Sequence, residues 1–127
     1  MRVTLWVVQL LLAIFALLTG VKHALGPLDE AAQSAPWTAL VPPVLVRLVG
    51  WSELAAGLGL VLPAATRILP GLTPLAAAGL ATIMALAIPF HVMQGEANVI
   101  GLHIVVIALC FFVAWGRLGR APILPRP

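Results

Sequence analysis

Glu53 stands within RLVGWSELAAGLGLVLP (47–63), a run that is otherwise apolar enough to cross a bilayer. A carboxylate is costly in hydrocarbon and is usually kept there for an ion pair, a proton path or a ligand. Few residues can answer it, because the 127-residue chain has only four Asp or Glu, seven Lys or Arg and three His. Lys22 and His23 come just before Gly26-Pro27, Arg47 opens the run itself, His91 follows Pro89, and His103 lies five residues beyond Asn98. A buried carboxylate among a lysine and imidazoles can share a proton, exchange one with a bound carbonyl, or lock two helices together. The sequence contains no nucleophilic triad, phosphate-cradling glycine loop, Rossmann fingerprint or HExxH metal motif. His23, His91 and His103 leave open a haem iron ligated from two helices, but there is no CxxCH attachment motif and no metal site is expected. Cys110 is the lone cysteine, so no intrachain disulfide forms, and it reads as a small filler within an apolar segment.

The elements that must position these residues are membrane-spanning helices. The chain is 62% hydrophobic and 9% charged, against about 25% charged in soluble domains. Four apolar stretches, about 3–25, 44–62, 72–91 and 98–115, each match the ~20 residues that cross ~30 Å of hydrocarbon as a helix. The runs are continuous and lack the alternation of barrel strands. The expected fold is therefore all-α, a single four-helix integral membrane bundle over residues 1–127. The first stretch resembles a signal peptide in following Arg2, but it is too long for one and VKHALG offers no small-x-small cleavage site. It is expected to stay as a helix. The segment 26–43 forms an outer loop that four prolines keep from being one helix, with LDEAAQSA as a short surface helix and Trp37 at the interface. The second span is expected to end at Pro63. Pro89 is expected to kink the third span and re-aim His91, and 116–127 reads as a basic, proline-rich tail.

Orientation follows from the basic residues. Arg2, Arg67, Arg117, Arg120 and Arg126 fall on one side of four spans, while Lys22 and Arg47 fall on the other with Asp29, Glu30 and Glu96. The positive-inside rule then places both termini in the cytoplasm. The net charge of +3 reflects this topogenic arginine. No basic patch is interleaved with aromatics, so nucleic acid is not an expected partner.

Depth along each helix brings the polar groups together. Counting from Val44, Glu53 lies about 13 Å into the bilayer, near its centre, and His103 about 7 Å deep. Gly50 and Gly57, at i−3 and i+4 from Glu53, share its face and invite close approach by another helix. Arg47 is about 240° around the helix from Glu53 and cannot be its simple partner. Lys22, on a long stem that can reach inward from the first span, is the expected one. Each span thus gives the outer half an ionisable group, whereas the cytoplasmic half reads as almost wholly apolar. Together these features predict a polar pocket open to the outer face, lined by Lys22, Glu53, His91 and His103. The plainer alternative is that Lys22 and Glu53 only lock two helices while the histidines are wetted by headgroups.

GVKHALGP, RLVGWSELAAGLGLVLPAATRILPGLTPLAAAGLATIMALA and PFHVMQGEAN resemble the DoxX-like family of small bacterial membrane proteins. The resemblance covers most of the chain, and its most specific part is the glycine–glutamate–glycine core of the second span with the LP and TPLAA segments. It implies a four-helix, multi-pass bundle in the bacterial cytoplasmic (inner) membrane. The wider group is similar to DoxD, a subunit of a thiosulfate:quinone oxidoreductase, and it includes proteins assigned to redox or assembly roles. Lys22, Glu53 and His91 match the family's recurrent polar positions. Arg47 and His103 come from the residue argument alone.

Two functions compete. In the first, the chain is the membrane subunit of a redox system, and the outward pocket binds a quinone-like or other small amphiphile on an apolar floor with polar groups at its carbonyl. No electron carrier is encoded here, so a partner supplies one, and the sequence does not say whether this chain is itself an enzyme. In the second, the chain is a non-enzymatic assembly or interaction protein whose small-residue helix faces bind other membrane proteins or a second copy. A transport path ranks below both, since the apolar cytoplasmic half offers no polar exit.

Overall fold

The computed structural model describes residues 1–127, and every regular element in it is helical. In chain order these are α1 (Arg2–Ala24), the short α2 (Leu28–Ser34), a 3₁₀ turn (Pro36–Ala39), α3 (Pro43–Thr66), α4 (Leu72–Met93) and α5 (Ala97–Trp115), which runs into a π-helical turn at Gly116–Arg120. α1, α3, α4 and α5 with its extension are each long and apolar enough to cross a membrane. The short connections α3–α4 and α4–α5 make those neighbours antiparallel. α1 packs most extensively on α3, α3 on α4 and α4 on α5, and a lighter contact between α1 and α5 closes the ring.

The side-chain distribution is that of a protein solvated by lipid. Only 31 of 127 residues are buried, and nine of the eighteen apolar ones among them are alanine. Large side chains such as Val3, Leu11, Leu18, Leu48, Leu58, Leu86 and Phe111 face outward. Water penalises such a surface and hydrocarbon does not, so helix association rests instead on close packing of small residues. The core joins Leu12, Ala13 and Ala16 of α1 to Ala56 and Leu60 of α3, Ala77, Leu80 and Met84 of α4, and Val106, Cys110 and Val113 of α5.

Glycine sets the tightest contact. A Cβ on Gly50 would lie 2.2 Å from the Ala24 backbone nitrogen and 2.6 Å from the His23 carbonyl carbon. Gly20, on the facing helix, has the same problem with Leu54 and Gly50. Gly57 meets the Leu17 side chain one to two turns further down. α1 and α3 therefore touch almost backbone to backbone, as the glycines around Glu53 led us to expect.

Two expectations about this framework need correction. α3 does not stop before Pro63 but continues to Thr66, where Arg67 adopts a left-handed φ of 61° and ends it. Proline removes one N–H and crowds the carbonyl four residues back, here that of Gly59, without preventing helical φ at its own position. The burial of Pro63 and Ala64 against neighbouring helices holds the last turn. The half of the bundle around the chain termini is also not simply apolar. Gln9 is fully buried there, donating to the Leu60 carbonyl at 2.7 Å and accepting from Arg117 Nε at 2.5 Å. A glutamine and an arginine bonded to each other across two helices remain nearly invisible to a hydropathy count.

Candidate functional site

Glu53 points into the bundle and is 3% exposed. Its partner is His23, with Nδ1 and Oε2 2.7 Å apart, and not Lys22. The close approach just described explains the difference. α1 turns Ala13, Ala16, Gly20, His23 and Ala24 toward its neighbours, and Lys22 falls outside that stripe, exposed. Between backbones this close a planar imidazole one bond from Cβ fits where a lysine stem does not. Lys22 instead borders an exposed depression beside Asp29 and Glu30. Trp37, from the 3₁₀ turn, packs edge-on against His23 with ring centroids 5.1 Å apart.

Arg47 is not an ion-pair partner either. Its Nη1 donates to the carbonyls of His23 at 3.1 Å and Gly26 at 2.7 Å, which are among the carbonyls left open at the end of α1. A cation there satisfies the orphan acceptors and complements the helix dipole. Arg47 therefore fixes the backbone that carries His23.

His91 is buried near the end of α4, and its Nδ1 lies 2.5 Å from Glu96 Oε2. The turn between α4 and α5 produces this pair. Gly95 has φ +73°, its N–H bonds the Val92 carbonyl at 3.1 Å, and the Glu96 N–H bonds the His91 carbonyl at 3.0 Å. This 6→1 and 5→2 pattern with a left-handed glycine is a Schellman cap, and it folds Glu96 back over the ring five residues earlier. Glu96 was placed on the outer side by its position between the third and fourth spans, but its role as the partner of His91 was missed. A glycine four residues after the histidine and directly before the glutamate is the signal that could have found it.

His103, on the second turn of α5, is half-buried and donates Nδ1–H to the Val99 carbonyl at 2.8 Å. Its ring lies 4.8 Å from that of His91, tilted at 55°. A carbonyl only accepts, so this bond places the His103 proton on Nδ1 and leaves Nε2 as the basic nitrogen. An ionised carboxylate on the Nδ1 of His91 or of His23 has the same effect. The His91 and His103 rings lie against each other, which leaves no gap for a haem plane between them.

Glu53, His91, His103, Ser52 and Trp37 all line one cleft of about 410 Å³ between α3, α4 and α5. Its other walls are apolar, with Leu45, Leu48, Val49, Ile83, Met84 and Phe90 prominent among them. Three of the four residues expected in an outer pocket thus share a cavity, while Lys22 lies outside it. No set of three or more His, Cys, Asp or Glu side chains is arranged to hold a metal ion. Chemically, the cleft offers a largely apolar slot with two neighbouring imidazoles and a carboxyl group in its lining, and each free Nε2 can accept a hydrogen bond from a hydroxyl.

In comparisons with known proteins, residues 7–113 match the model of the DoxX-like family. No curated protein and no solved structure matches the chain.

Proposed function

The chain belongs to the DoxX-like family, and from that premise we propose that it is a cytoplasmic-membrane protein that binds a small amphiphile of quinone type in the cleft between α3, α4 and α5. The observation that carries this reading is the presence of Glu53, His91 and His103 together in the lining of one largely apolar cavity. A quinol ring and tail match the apolar walls, and its hydroxyls match Nε2 atoms that accept, while a quinone carbonyl is met only by an imidazole that carries a proton on both nitrogens. In this reading the Nε2 atoms of His91 and His103 meet the ligand oxygen, Glu96 holds the His91 ring in place, and the His23–Glu53 pair offers a proton store at the back of the cleft. Lys22 has no part in it. Electrons come from a partner subunit, and the basic end of the bundle, with Arg2, Arg67 and Arg117, faces the cytoplasm by the positive-inside rule.

The test is extraction of protein purified from its own membranes in mild detergent, followed by absorbance and mass analysis of the extract. A stoichiometric quinone or related amphiphile is expected, with less of it retained by His103→Leu. An empty cleft in protein that remains folded contradicts the proposal.

A second reading is supported by a separate groove. Ala78, Ala81, Thr82 and Ala85 of α4 with Ile107 and Ala114 of α5 line a shallow apolar trough of about 270 Å³. Gly79 beside it has open space where a Cβ would lie. Small residues on an outward helix face suit association with another membrane helix. Under this assembly role a partner protein co-purifies and the cleft extract is empty.

A further inference from the structure

The opposite end of the bundle holds a site of different chemistry. Arg2 and Trp6 of α1, Ala64 and Ala65 of α3, Arg67, Arg117 and the tail residues Pro122–Leu124 line a groove of about 410 Å³. Arg117 is 6% exposed, with its guanidinium carbon 5.3 Å from the centre of the Trp6 ring. Its Nε is bonded to Gln9 and its Nη1 to the Ala121 carbonyl, both neutral acceptors. Its Nη2 is buried with no partner at all.

A buried cation without a counter-charge is unfavourable unless something supplies the charge. The chain does not. Both of its ion pairs are His–Glu pairs at the other end, and its remaining acidic side chains, Asp29 and Glu30, lie in the first turn of α2 beside Lys22. Arg2 and Arg67 border the same groove and add positive charge to it. Arg67 also shapes it by donating to the Leu124 carbonyl at 3.0 Å and the Pro125 carbonyl at 3.3 Å, while its own carbonyl accepts from Arg126 N–H. The tail is thereby strapped across the helix ends as one wall of the groove.

We infer that this groove binds the phosphate group of an anionic phospholipid, with Arg117 as the buried contact and Arg2 and Arg67 at its mouth. A phosphodiester accepts several hydrogen bonds and takes a guanidinium bidentately. A lipid is the appropriate carrier because the groove lies where long apolar helices end, with Trp6, Ile123 and Leu124 positioned for the glycerol and first methylenes. Basic pockets between helix ends hold headgroups of this kind in other membrane proteins.

The test is native mass spectrometry and thermal stability of the full chain in a neutral detergent, with phosphatidylglycerol, phosphatidylcholine or inorganic phosphate added. Selective retention of phosphatidylglycerol is expected. Arg2→Gln and Arg67→Gln should each weaken it about fivefold, and the pair on the order of thirtyfold. Arg120→Gln is the control, because that side chain is exposed, packs over Trp115 and lies outside the groove. Arg117→Gln removes the buried contact, but it also disturbs Gln9, so the two mouth variants carry the test if it does not fold. Equal retention of phosphatidylcholine, no loss in the Arg2/Arg67 double variant, or an equal loss in Arg120→Gln overturns the site. Protection by inorganic phosphate as strong as by phosphatidylglycerol overturns the lipid assignment.

Discussion

Glu53 and its partner show what one residue decides. The carboxylate was legible from sequence as a group that must face inward, because no other orientation satisfies it in hydrocarbon. Its partner was misassigned because reach was weighed and interhelical distance was not. Lys22 and His23 are adjacent in sequence, yet about 100° of helix rotation separates them, and only His23 lies in the stripe with Gly20 and Ala24. The two assignments differ measurably. His23→Leu leaves a buried carboxylate uncompensated and should lower stability by about 3–5 kcal/mol, read from denaturant unfolding in detergent. Lys22→Met, at an exposed position, should stay within about 0.5 kcal/mol of the parent. The reverse ranking would restore the lysine pair. A His23/Glu53 double-mutant cycle should show coupling, whereas a Lys22/Glu53 cycle should show none beyond error.

At the scale of elements, the α1–α3 contact and the α4–α5 turn position the site. Gly50 was legible because it shares a face with Glu53 and Gly57, and the contact distances give it a strong consequence. Gly50→Ala places a methyl against backbone atoms of α1 that cannot rotate away. It should cost at least the ~1–3 kcal/mol of an overpacked core and separate His23 from Glu53. Gly79→Ala, where a Cβ meets open space, should instead stabilise by roughly 0.5–1 kcal/mol through helix propensity. Thermal unfolding of the two variants distinguishes glycine as a packing residue from glycine as a helix liability. Gly95→Ala forces a β-carbon into a left-handed conformation at about 1–2 kcal/mol, and it should release Glu96 from His91. That release is readable as changed His91 ring chemical shifts in NMR, and Glu96→Gln should alter the same signals without the backbone cost. The Schellman turn was not legible from periodicity, since the pairing depends on one φ angle. Proline was read as a stop at residue 63 for a related reason: its local cost is visible in sequence, while the tertiary packing that outweighs it is not.

For the whole molecule, four apolar segments fixed the number and approximate ends of the long helices, because the bilayer imposes one length on all of them. Their common place in the outer half anticipated that Glu53, His91 and His103 line one pocket, and they line one cavity. The Gln9–Arg117 network at the other end escaped notice because Gln9 is one uncharged residue in a leucine-rich helix and Arg117 was counted as topogenic. Hydropathy reports how much polarity a segment carries, not which two polar groups satisfy each other. Orientation remains a matter of charge, and reporter fusions at the carboxyl terminus should be active only with a cytoplasmic reporter; periplasmic activity there would reverse the topology.

The central claim is that the cleft beside His91 and His103 takes a quinone-like molecule, and equilibrium binding tests it most directly. A short-chain benzoquinol, whose hydroxyl can donate to the free Nε2 of His103, is titrated without oxygen into the detergent-solubilised full chain and into His103→Leu, with circular dichroism confirming that both are folded. Loss of one ligand hydrogen bond in a desolvated cleft should weaken binding about tenfold, so saturable binding to the parent and an isotherm shifted by that factor in His103→Leu are expected. Binding that does not saturate, or that is the same for the two proteins, contradicts the claim.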